Sequence, residues 1–310
     1  MKKIFIDGKA GTTGLRIEER LSSRDDIEIV TLPDELRKDP VAKKEVLNSV
    51  DIAFLCLPDA AAIESVSMIE NPNVCVIDTS TAHRTNPDWA YGFAELGCEF
   101  EEKIKNSKRI AVPGCHASGF IALVYPLIKA GILPKDALLS AHSLTGYSGG
   151  GKKMIADYQA EGRDSLLDGP RQYALSQSHK HIPEMTKITG LNNAPVFCPI
   201  VGDFYSGMEV TIPLFKSQLI NGADVEKIKE IYKNIYTGPI VSYNENAHEE
   251  GFLSSVKHQG LDKMSIEVYG NDERIILVAR YDNLGKGASG AAVECLNIVL
   301  GEDKTKNLSL

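Results

Sequence analysis

The amino-terminal stretch restricts the fold more than any other, because an apolar strand, a glycine-rich turn and a helix follow one another there. The run from Lys2 to Ile6 is typical of a buried β-strand, and it leads through GKAGTTG into the helical LRIEERLSS. Strand, glycine turn and helix in this order form the opening unit of a dinucleotide-binding domain. The spacing is GxxGxxG and not GxGxxG, so the pattern alone also fits a turn without a ligand.

The residues of this turn suit the binding of a pyrophosphate. Glycine lets the main chain come close to phosphate oxygens, and the N–H groups at a helix start, together with threonine hydroxyls, can donate to them. We therefore predict that a cofactor pyrophosphate binds at Gly8, Gly11, Thr12, Thr13 and Gly14.

The second strand, IEIVTL at 27–32, precedes the segment in which an adenosine ribose would lie. Asp34 or Glu35 could accept from a ribose 2′-hydroxyl, as in NAD binders, whereas Arg37 and Lys38 could meet a 2′-phosphate, as in NADP binders. These charges by themselves leave the choice of cofactor open.

The next segments continue to alternate between helix and strand. VAKKEVLNSV and AAAIESVSMIE have helical patterns, and DIAFLCLP and NVCVID read as buried strands, which predicts a doubly wound parallel sheet. Beyond about residue 132, long β-rich runs surround one helical segment, ADVEKIKEIYKNIY, and a turn at Gly270-Asn-Asp-Glu273 joins two strands. This change predicts a second domain of α+β type, while GASGAAVECLNIVLG at 287–301 has the apolar spacing of a helix that covers a sheet.

Cys115 is the first candidate for chemistry, because it lies where the strand-like RIAVP gives way to a helical segment. At a helix start, the free N–H groups and the positive end of the macrodipole favour a thiolate over a thiol. A buried, inert cysteine is the competing interpretation, since free cysteines are usually packed as small hydrophobic residues.

Three further polar groups are candidates for anion, substrate or metal contacts. Arg84 follows a strand end and could clamp a carboxylate or phosphate, or form a surface ion pair. GYSGGGKK at 146–153 is predicted to be a mobile or phosphate-approaching loop, although it lacks the Walker A spacing. His179, His181 and Glu184 could form a catalytic imidazole, a metal site, a substrate clamp or an ordinary polar loop, and without a third convincing ligand we expect no metal.

Composition excludes several classes of function. The 310 residues carry a net charge of −8 without a basic cluster, which argues against nucleic acid as a partner. The longest apolar runs are far shorter than the ~20 residues that span a bilayer, and no export signal is seen, so we expect no membrane association. Six cysteines without CxxC spacing fit reduced thiols in the cytoplasm.

An ordered set of motifs then identifies a family. The set comprises GKAGTTG, CLPDAA, DTSTAHRT, YGFAEL, VPGCHASG, GYSGGGK, HKHIPEM, VGDFYSGM and DNLGKGASGAA. From end to end, the chain resembles the short form of the N-acetyl-gamma-glutamyl-phosphate reductases, within the semialdehyde dehydrogenase superfamily. PGC, HKHxPE and NLxKGAxG in this order make the resemblance specific.

The resemblance implies a fold and its division into domains. We expect a Rossmann-type doubly wound parallel sheet in an NADP-binding domain made of 1–114 with 283–310. The remaining residues, 115–282, are expected to form an α+β catalytic and dimerisation domain with a large mixed sheet. A homodimer or homotetramer is expected to result.

The resemblance also implies an NADPH-dependent reductase of arginine biosynthesis that acts on a small acyl phosphate. Cys115 is expected to form a thioester, and hydride transfer then gives a semialdehyde. We prefer His181 as the acid and base, with Glu184 as its orienting carboxylate, and keep His179 as a substrate-contacting alternative. A charged His116 beside the thiol could lower its pKa.

The remaining site residues are carried over from the matching motifs. In addition to the glycine turn, the expected cofactor contacts are Arg37, Ser80, Asn283, Gly285, Lys286 and Gly287. The expected substrate and anion contacts are Arg84, Tyr147, Ser148, Gly149 and Gly150.

Three other functions stay open at this point. A reductase of the aspartate-semialdehyde dehydrogenase type, or one acting on a carrier-bound amino-adipyl phosphate, would share the cysteine, the cofactor and the mechanism. A non-catalytic dinucleotide-binding protein would keep only the fold, and it would not need Cys115, both histidines and Glu184 together.

Overall fold

The computed structural model describes residues 1–37 and 39–310, with Asp34 described in its main chain only. Lys38, one of the two cations offered for a 2′-phosphate, therefore lies outside the described residues. The described chain divides into two compact units, each with its own sheet. The first unit contains residues 1–94, 98–113 and 288–308, and the second contains 95–97, 114–287 and 309–310.

The first unit contains a six-stranded sheet whose described neighbours all pair in parallel, in the order β2-β1-β3-β4-β6-β5. Its strands are β1 Lys2–Asp7, β2 Ile27–Val30, β3 Ile52–Leu55, β4 Cys75–Asp78, β5 Ala90–Tyr91 and β6 Arg109–Ala111. Helices α1 Thr12–Leu21, α2 Pro40–Ser49, α3 Asp59–Ser67 and α4 Cys98–Asn106 lie between them in the chain. The predicted doubly wound parallel sheet is confirmed. Every residue of β3 and of β4 is buried, as expected for strands covered on both faces.

The second unit contains a mixed seven-stranded sheet in the order β11-β12-β13-β10-β7-β9-β8. Its helices are α5 Cys115–Lys129, α6 Gly151–Gln159, α7 Ile182–Thr189 and α8 Val225–Ile235. Its strands are β7 Ser140–Gly146, β8 Arg171–Gln172, β9 Val196–Gly202, β10 Met208–Phe215, β11 Val241–Tyr243, β12 Met264–Gly270 and β13 Arg274–Tyr281. The predicted turn after Gly270 joins β12 to β13 in an antiparallel pair.

Helix α5 forms the centre of this second unit, because it is apolar on nearly all sides and eleven of its fifteen residues are buried. Pro126 lies within it and has no N–H to donate to the Ala122 carbonyl. The hydroxyl of Tyr236 donates to that carbonyl instead, at 2.6 Å. Tyr232 likewise donates to the Leu123 carbonyl. Side chains of α8 and of the segment after it therefore fix the main chain of α5.

The glycine-rich stretch after β7 is not a loop. Residues Tyr147–Gly150 form a short 3-10 turn, and α6 begins at Gly151. The N–H groups of Gly146 and Tyr147 bond to the carbonyls of Gly207 and Phe204, which fixes the start of the turn. The prediction of a mobile or phosphate-approaching loop was wrong as to the loop, because these tertiary hydrogen bonds fix the main chain in a turn that leads into a helix.

The last helix, α9 Gly290–Leu300, belongs to the first unit and packs into the core that includes Ile4, Phe54 and Ile77. The chain passes from the second unit to the first at residue 288, whereas the sequence placed this boundary at 283. Within the described residues, no helix has both the length and the apolar character needed to cross a membrane.

Candidate active site

Cys115 is the first residue of α5, as the sequence predicted, and it is half-buried. Gly114 is the N-cap residue and has no side chain with which to cap this end of the helix. The positive end of the helix dipole lies at the thiol and favours negative charge there.

Glu184 supports the main chain directly before Cys115. Its carboxylate is 2% exposed and accepts a hydrogen bond from the Gly114 N–H at 2.8 Å. Glu184 itself lies in the first turn of α7, which follows the N-cap residue His181. Glu184 of the HKHIPEM motif thus fixes the main chain at the start of α5. The sequence had not indicated this role for the carboxylate.

The imidazole of His116 is enclosed behind Cys115. Its Nδ1 lies 2.6 Å from Ser143 Oγ, and its Nε2 lies 2.6 Å from the Tyr173 hydroxyl. Burial, with smaller contributions from His179 and Lys180, lowers the pKa of His116 to about 3. At neutral pH the ring carries no charge, so the expectation that a charged His116 lowers the thiol pKa was wrong: an imidazolium is too costly to desolvate here.

The two histidines of the HKH segment lie beside His116. Ring centroids are 5.5 Å apart for His116 and His179, 5.6 Å for His116 and His181, and 4.8 Å for His179 and His181. The Nδ1 atom of His179 accepts a hydrogen bond from the His181 N–H at 3.1 Å. Burial, with a smaller contribution from Lys180, lowers the pKa of His179 to about 4. In the described part of the chain, no group of three or more His, Cys, Asp and Glu residues could hold a metal ion.

The NLGKG segment packs around Cys115 within the second unit. A Cβ on Gly287 would lie 3.1 Å from Cys115 Cβ, and one on Gly285 would lie 2.1 Å from the Leu261 carbonyl oxygen. Lys286 is buried and pairs with Glu95 at 2.7 Å. Asn283 accepts from the Gly207 N–H and donates to Ser148 Oγ, each at 3.0 Å. These contacts position the chain near Cys115, and the role of this segment in binding the cofactor stays a prediction.

The predicted substrate contacts Tyr147 to Gly150 also lie in the second unit. Tyr147 stacks on Tyr158 at a centroid distance of 4.7 Å, and Ser148 is buried against Asn283. Of this set, only the two glycines, Gly149 and Gly150, are exposed.

In the first unit, the glycine turn forms a tight cradle. Gly8 has φ +85°, and a Cβ there would lie 2.3 Å from the Cys56 carbonyl oxygen. A Cβ on Gly14 would lie 2.6 Å from the Gly8 carbonyl oxygen, whereas one on Gly11 would make only ordinary contact at 3.4 Å. Helix α1 begins at Thr12, and among the described residues no side chain caps its first turn. These features fit a pyrophosphate bound at the start of α1.

A cleft in the first unit extends from this turn to the end of β2. Among the residues that line it are Gly8, Lys9, Ala10, Thr31, Arg37 and Lys43. Lys43 pairs with Asp7 at 2.8 Å, and Asp7 also accepts from Ser65. The structure thus places Arg37 at the predicted cleft. It adds Lys43, which the sequence shows only as one charge among several on a helix.

Ser80 and Arg84 follow β4 and contact the chain itself. The Asp78 carboxylate accepts from the Ser80 N–H and hydroxyl at 2.9 and 2.7 Å. Arg84 is buried, and its guanidinium donates to the carbonyls of Val112 and Thr79, each at 2.9 Å. These two bonds join the segment after β4 to the segment after β6, and the predicted clamp of Arg84 on an anion stays a prediction.

Sequence reasoning missed three side chains near Cys115. Ser143 and Tyr173 bond to the His116 ring, and the Tyr281 hydroxyl bonds to the Cys115 carbonyl. Tyr173 could have been noticed from its place just before the HKH segment. Ser143 and Tyr281 lie in ordinary strands, and nothing in their local sequence marks them.

Comparison with known proteins agrees with this arrangement. Residues 13–107 match the sequence model of the semialdehyde dehydrogenase NAD binding domain, and residues 115–283 match that of the semialdehyde dehydrogenase dimerisation domain. The described fold is similar to aspartate semialdehyde dehydrogenase II from Vibrio cholerae, with a TM-score of 0.72 at 16% identity over 97% of this chain and 98% of that one. It is also similar to aspartate semialdehyde dehydrogenase with NADP from Candida albicans, with a TM-score of 0.65, 16% identity and the same coverage. At such identities the likeness concerns the fold alone.

Curated relatives are much more similar in sequence. N-acetyl-gamma-glutamyl-phosphate reductase from Mesorhizobium japonicum is 44% identical over 306 residues, which cover 96% of this chain and 99% of that protein. The enzyme of the same name from Trichormus variabilis is 44% identical over 311 residues, covering 96% of this chain and 97% of the relative. The chain belongs to the N-acetyl-gamma-glutamyl-phosphate reductase family, a group of oxidoreductases with the semialdehyde dehydrogenase fold.

Proposed function

We propose that the protein catalyses the NADPH-dependent reduction of N-acetyl-L-glutamyl 5-phosphate to N-acetyl-L-glutamate 5-semialdehyde and phosphate, a step of arginine biosynthesis. The observation that carries the mechanism is the place of Cys115, at the start of α5 and next to His116, whose ring lies beside that of His181. The activity itself is that named for relatives at 43–44% identity over nearly the whole chain.

Cys115 acts as the nucleophile in this proposal. Its thiolate attacks the acyl phosphate carbonyl, the bond to the phosphate oxygen breaks, and a thioester remains on the sulfur. Negative charge develops on the carbonyl oxygen during this step. The positive end of the α5 dipole lies at Cys115 and stabilises that charge.

When bound, NADPH supplies the hydride that converts the thioester into a thiohemiacetal. His181 is proposed to move the protons, giving one to the oxygen of this adduct and taking it back as the carbon–sulfur bond breaks to release the aldehyde. Glu184 holds the main chain at Gly114, and His179 is proposed to contact the substrate. His116 is buried and neutral, so it supports the site through its bonds to Ser143 and Tyr173.

The substrate is tested by running the reaction in reverse. Phosphate-dependent reduction of NADP should be fastest with N-acetyl-glutamate 5-semialdehyde, compared with aspartate semialdehyde and amino-adipate semialdehyde. Preference for either of the other aldehydes would show that the protein is the corresponding aspartyl-phosphate or amino-adipyl-phosphate reductase instead. Absence of turnover with all three, while the cofactor still binds, would favour a non-catalytic dinucleotide-binding protein.

We propose NADP(H) as the cofactor in preference to NAD(H). The support is the charge of the cleft at the end of β2. Three cations line this cleft, Lys9, Arg37 and Lys43, and Asp7 is the one carboxylate among its described lining side chains. A 2′-phosphate would meet Arg37 with two N–H donors. Arg37→Ala should weaken binding of NADPH about tenfold or more and leave that of NADH nearly unchanged. Equal effects on both cofactors would contradict this assignment.

We also propose that the protein forms a homodimer or homotetramer. In the sheet of the second unit, alternate residues such as Val210 and Leu277 are buried with α5, while those between them point to the opposite face. That face includes Val196, Phe215 and Ile276, which are 57%, 61% and 40% exposed. Light scattering should give two or four times the chain mass of 33.8 kDa, and Ile276→Asp should reduce it.

The cytoplasm is the proposed location. Each of the six cysteines is a free thiol, which suits a reducing compartment. Cell fractionation of the tagged chain would test this, and recovery outside the cytoplasmic fraction would contradict it.

A further inference from the structure

The hydroxyl of Tyr281 lies in the first turn of α5. It donates a hydrogen bond to the Cys115 carbonyl oxygen at 2.5 Å and accepts one from the Gly119 N–H at 3.0 Å. In a regular α-helix the groups at i and i+4, here Cys115 and Gly119, bond to each other. The tyrosine therefore bridges the turn that begins at the proposed nucleophile.

Gly119 makes room for this hydroxyl. A Cβ at this position would lie 2.7 Å from the Tyr281 hydroxyl oxygen and 2.7 Å from Val210 Cγ2, closer than real Cβ contacts. Tyr281 is fully buried, and burial holds the pKa of its hydroxyl well above the usual value. The hydroxyl thus keeps its proton and can donate to Cys115.

Comparison with Tyr236, which also bonds to a carbonyl of α5, shows how the Tyr281 bridge differs. Tyr236 donates to the Ala122 carbonyl, which has no helical donor because Pro126 lacks an N–H. Tyr281 fills no such gap, since the N–H of Gly119 could serve the Cys115 carbonyl directly. The bridge is therefore not required to satisfy the hydrogen bonds of the helix, and its effect must be on the geometry of the turn.

We propose that Tyr281 is a positioning residue for Cys115, which fixes the first turn of α5 so that the thiolate and the N–H groups of this turn face the acyl carbonyl together. The O–H dipole also directs its positive end to the Cys115 carbonyl, and this offsets negative charge beside the sulfur. The inference rests on the proposed function of Cys115 as the nucleophile.

Tyr281→Phe tests this role, because it removes the hydroxyl while Gly119 can still close the helical turn. We expect the midpoint pH for alkylation of Cys115 by iodoacetamide, followed by mass spectrometry, to rise by about half a pH unit. We also expect kcat to fall about tenfold with little change in KM for the acyl phosphate. Tyr232→Phe is the matched control: it removes a hydroxyl from the Leu123 carbonyl, which Leu127 can still serve, and should leave both quantities unchanged.

An unchanged alkylation midpoint in Tyr281→Phe, or an equal shift in Tyr232→Phe, would overturn the inference. If Tyr281→Phe does not fold, Gly119→Ala displaces the hydroxyl with the tyrosine in place, and the midpoint must rise there too. Alkylation requires no substrate. A shifted midpoint without turnover of N-acetyl-glutamyl phosphate would thus support the positioning role and overturn only the proposed reaction.

Discussion

Two of the histidines near Cys115 have pKa values far below that of free imidazole, about 3 for His116 and about 4 for His179. Both rings are therefore neutral at pH 7, and neither can form a thiolate–imidazolium pair with the cysteine there. The helix dipole at the start of α5 favours a Cys115 thiolate without any charge on these two rings.

Replacement of the nucleophile tests the covalent mechanism. Cys115→Ser should lower turnover by on the order of 10³-fold or more, because a serine hydroxyl is far from ionised where a thiolate is stabilised. NADPH binding, measured by fluorescence titration, should stay close to that of the unmodified protein. Cys98→Ser, at an exposed thiol on α4, is the matched control and should retain full activity. Substantial activity in Cys115→Ser would rule out the thioester.

The two histidines of the HKH segment can be separated by their kinetics. His181→Asn should lower kcat by about 10²–10⁴-fold, since it removes the proposed proton carrier. His179→Asn should mainly raise KM for the acyl phosphate, because this residue is proposed to contact the substrate. Steady-state measurements on both variants decide the assignment, and the reverse pattern would exchange the two roles.

At the scale of elements, the turn between β1 and α1 shows which glycines the fold requires. Gly8→Ala should destabilise the turn and weaken NADPH binding, because its Cβ would lie 2.3 Å from a main-chain oxygen at a φ of +85°. Gly11→Ala is the matched change, with a nearest contact of 3.4 Å, so it should leave thermal stability nearly unaltered. Differential scanning calorimetry and cofactor titration measure both effects, and equal melting temperatures for the two variants would contradict this distinction.

The whole molecule should lose stability in mild acid because of its buried histidines. The unfolded chain binds a proton at His116 below its ordinary pKa of 6.5, whereas the folded chain does so only near 3. Between these values the free energy of unfolding falls as pH falls, by about 1.4 kcal/mol per pH unit and thus about 2 kcal/mol by pH 5. His258, with its pKa lowered to about 4 chiefly by burial, adds to the loss.

Urea unfolding at pH 7 and pH 5 measures this dependence. His116→Gln should show a smaller loss between the two pH values than the unmodified protein, while His248→Gln, at an exposed position, should show the same loss. Burial raises the pKa of the Glu209 carboxyl toward this window, but that group is present in every variant, so the difference between the variants reports on the imidazole. An identical loss in His116→Gln would mean that His116 is not the buried neutral group described.

The sequence by itself determined the alternation of strand and helix and the parallel sheet in the first unit, the α+β character of the second and the place of Cys115 at a helix start. These properties depend on local patterns: period-two and helical apolar spacing, glycine turns, and a proline–glycine pair before a helix. The family could also be identified from the sequence, because each of its motifs is a short contiguous stretch of the chain.

Only the tertiary structure decided how the side chains of these motifs are used. In the folded protein, His116 is buried and its ring is neutral. Arg84 donates to main-chain carbonyls, and Lys286 forms an ion pair with Glu95. The fold also brings Tyr281 to Cys115, 166 residues away in the chain. The physical reason is the same in each case: desolvation and hydrogen bonding depend on which distant segments meet, and a local pattern carries no information about that.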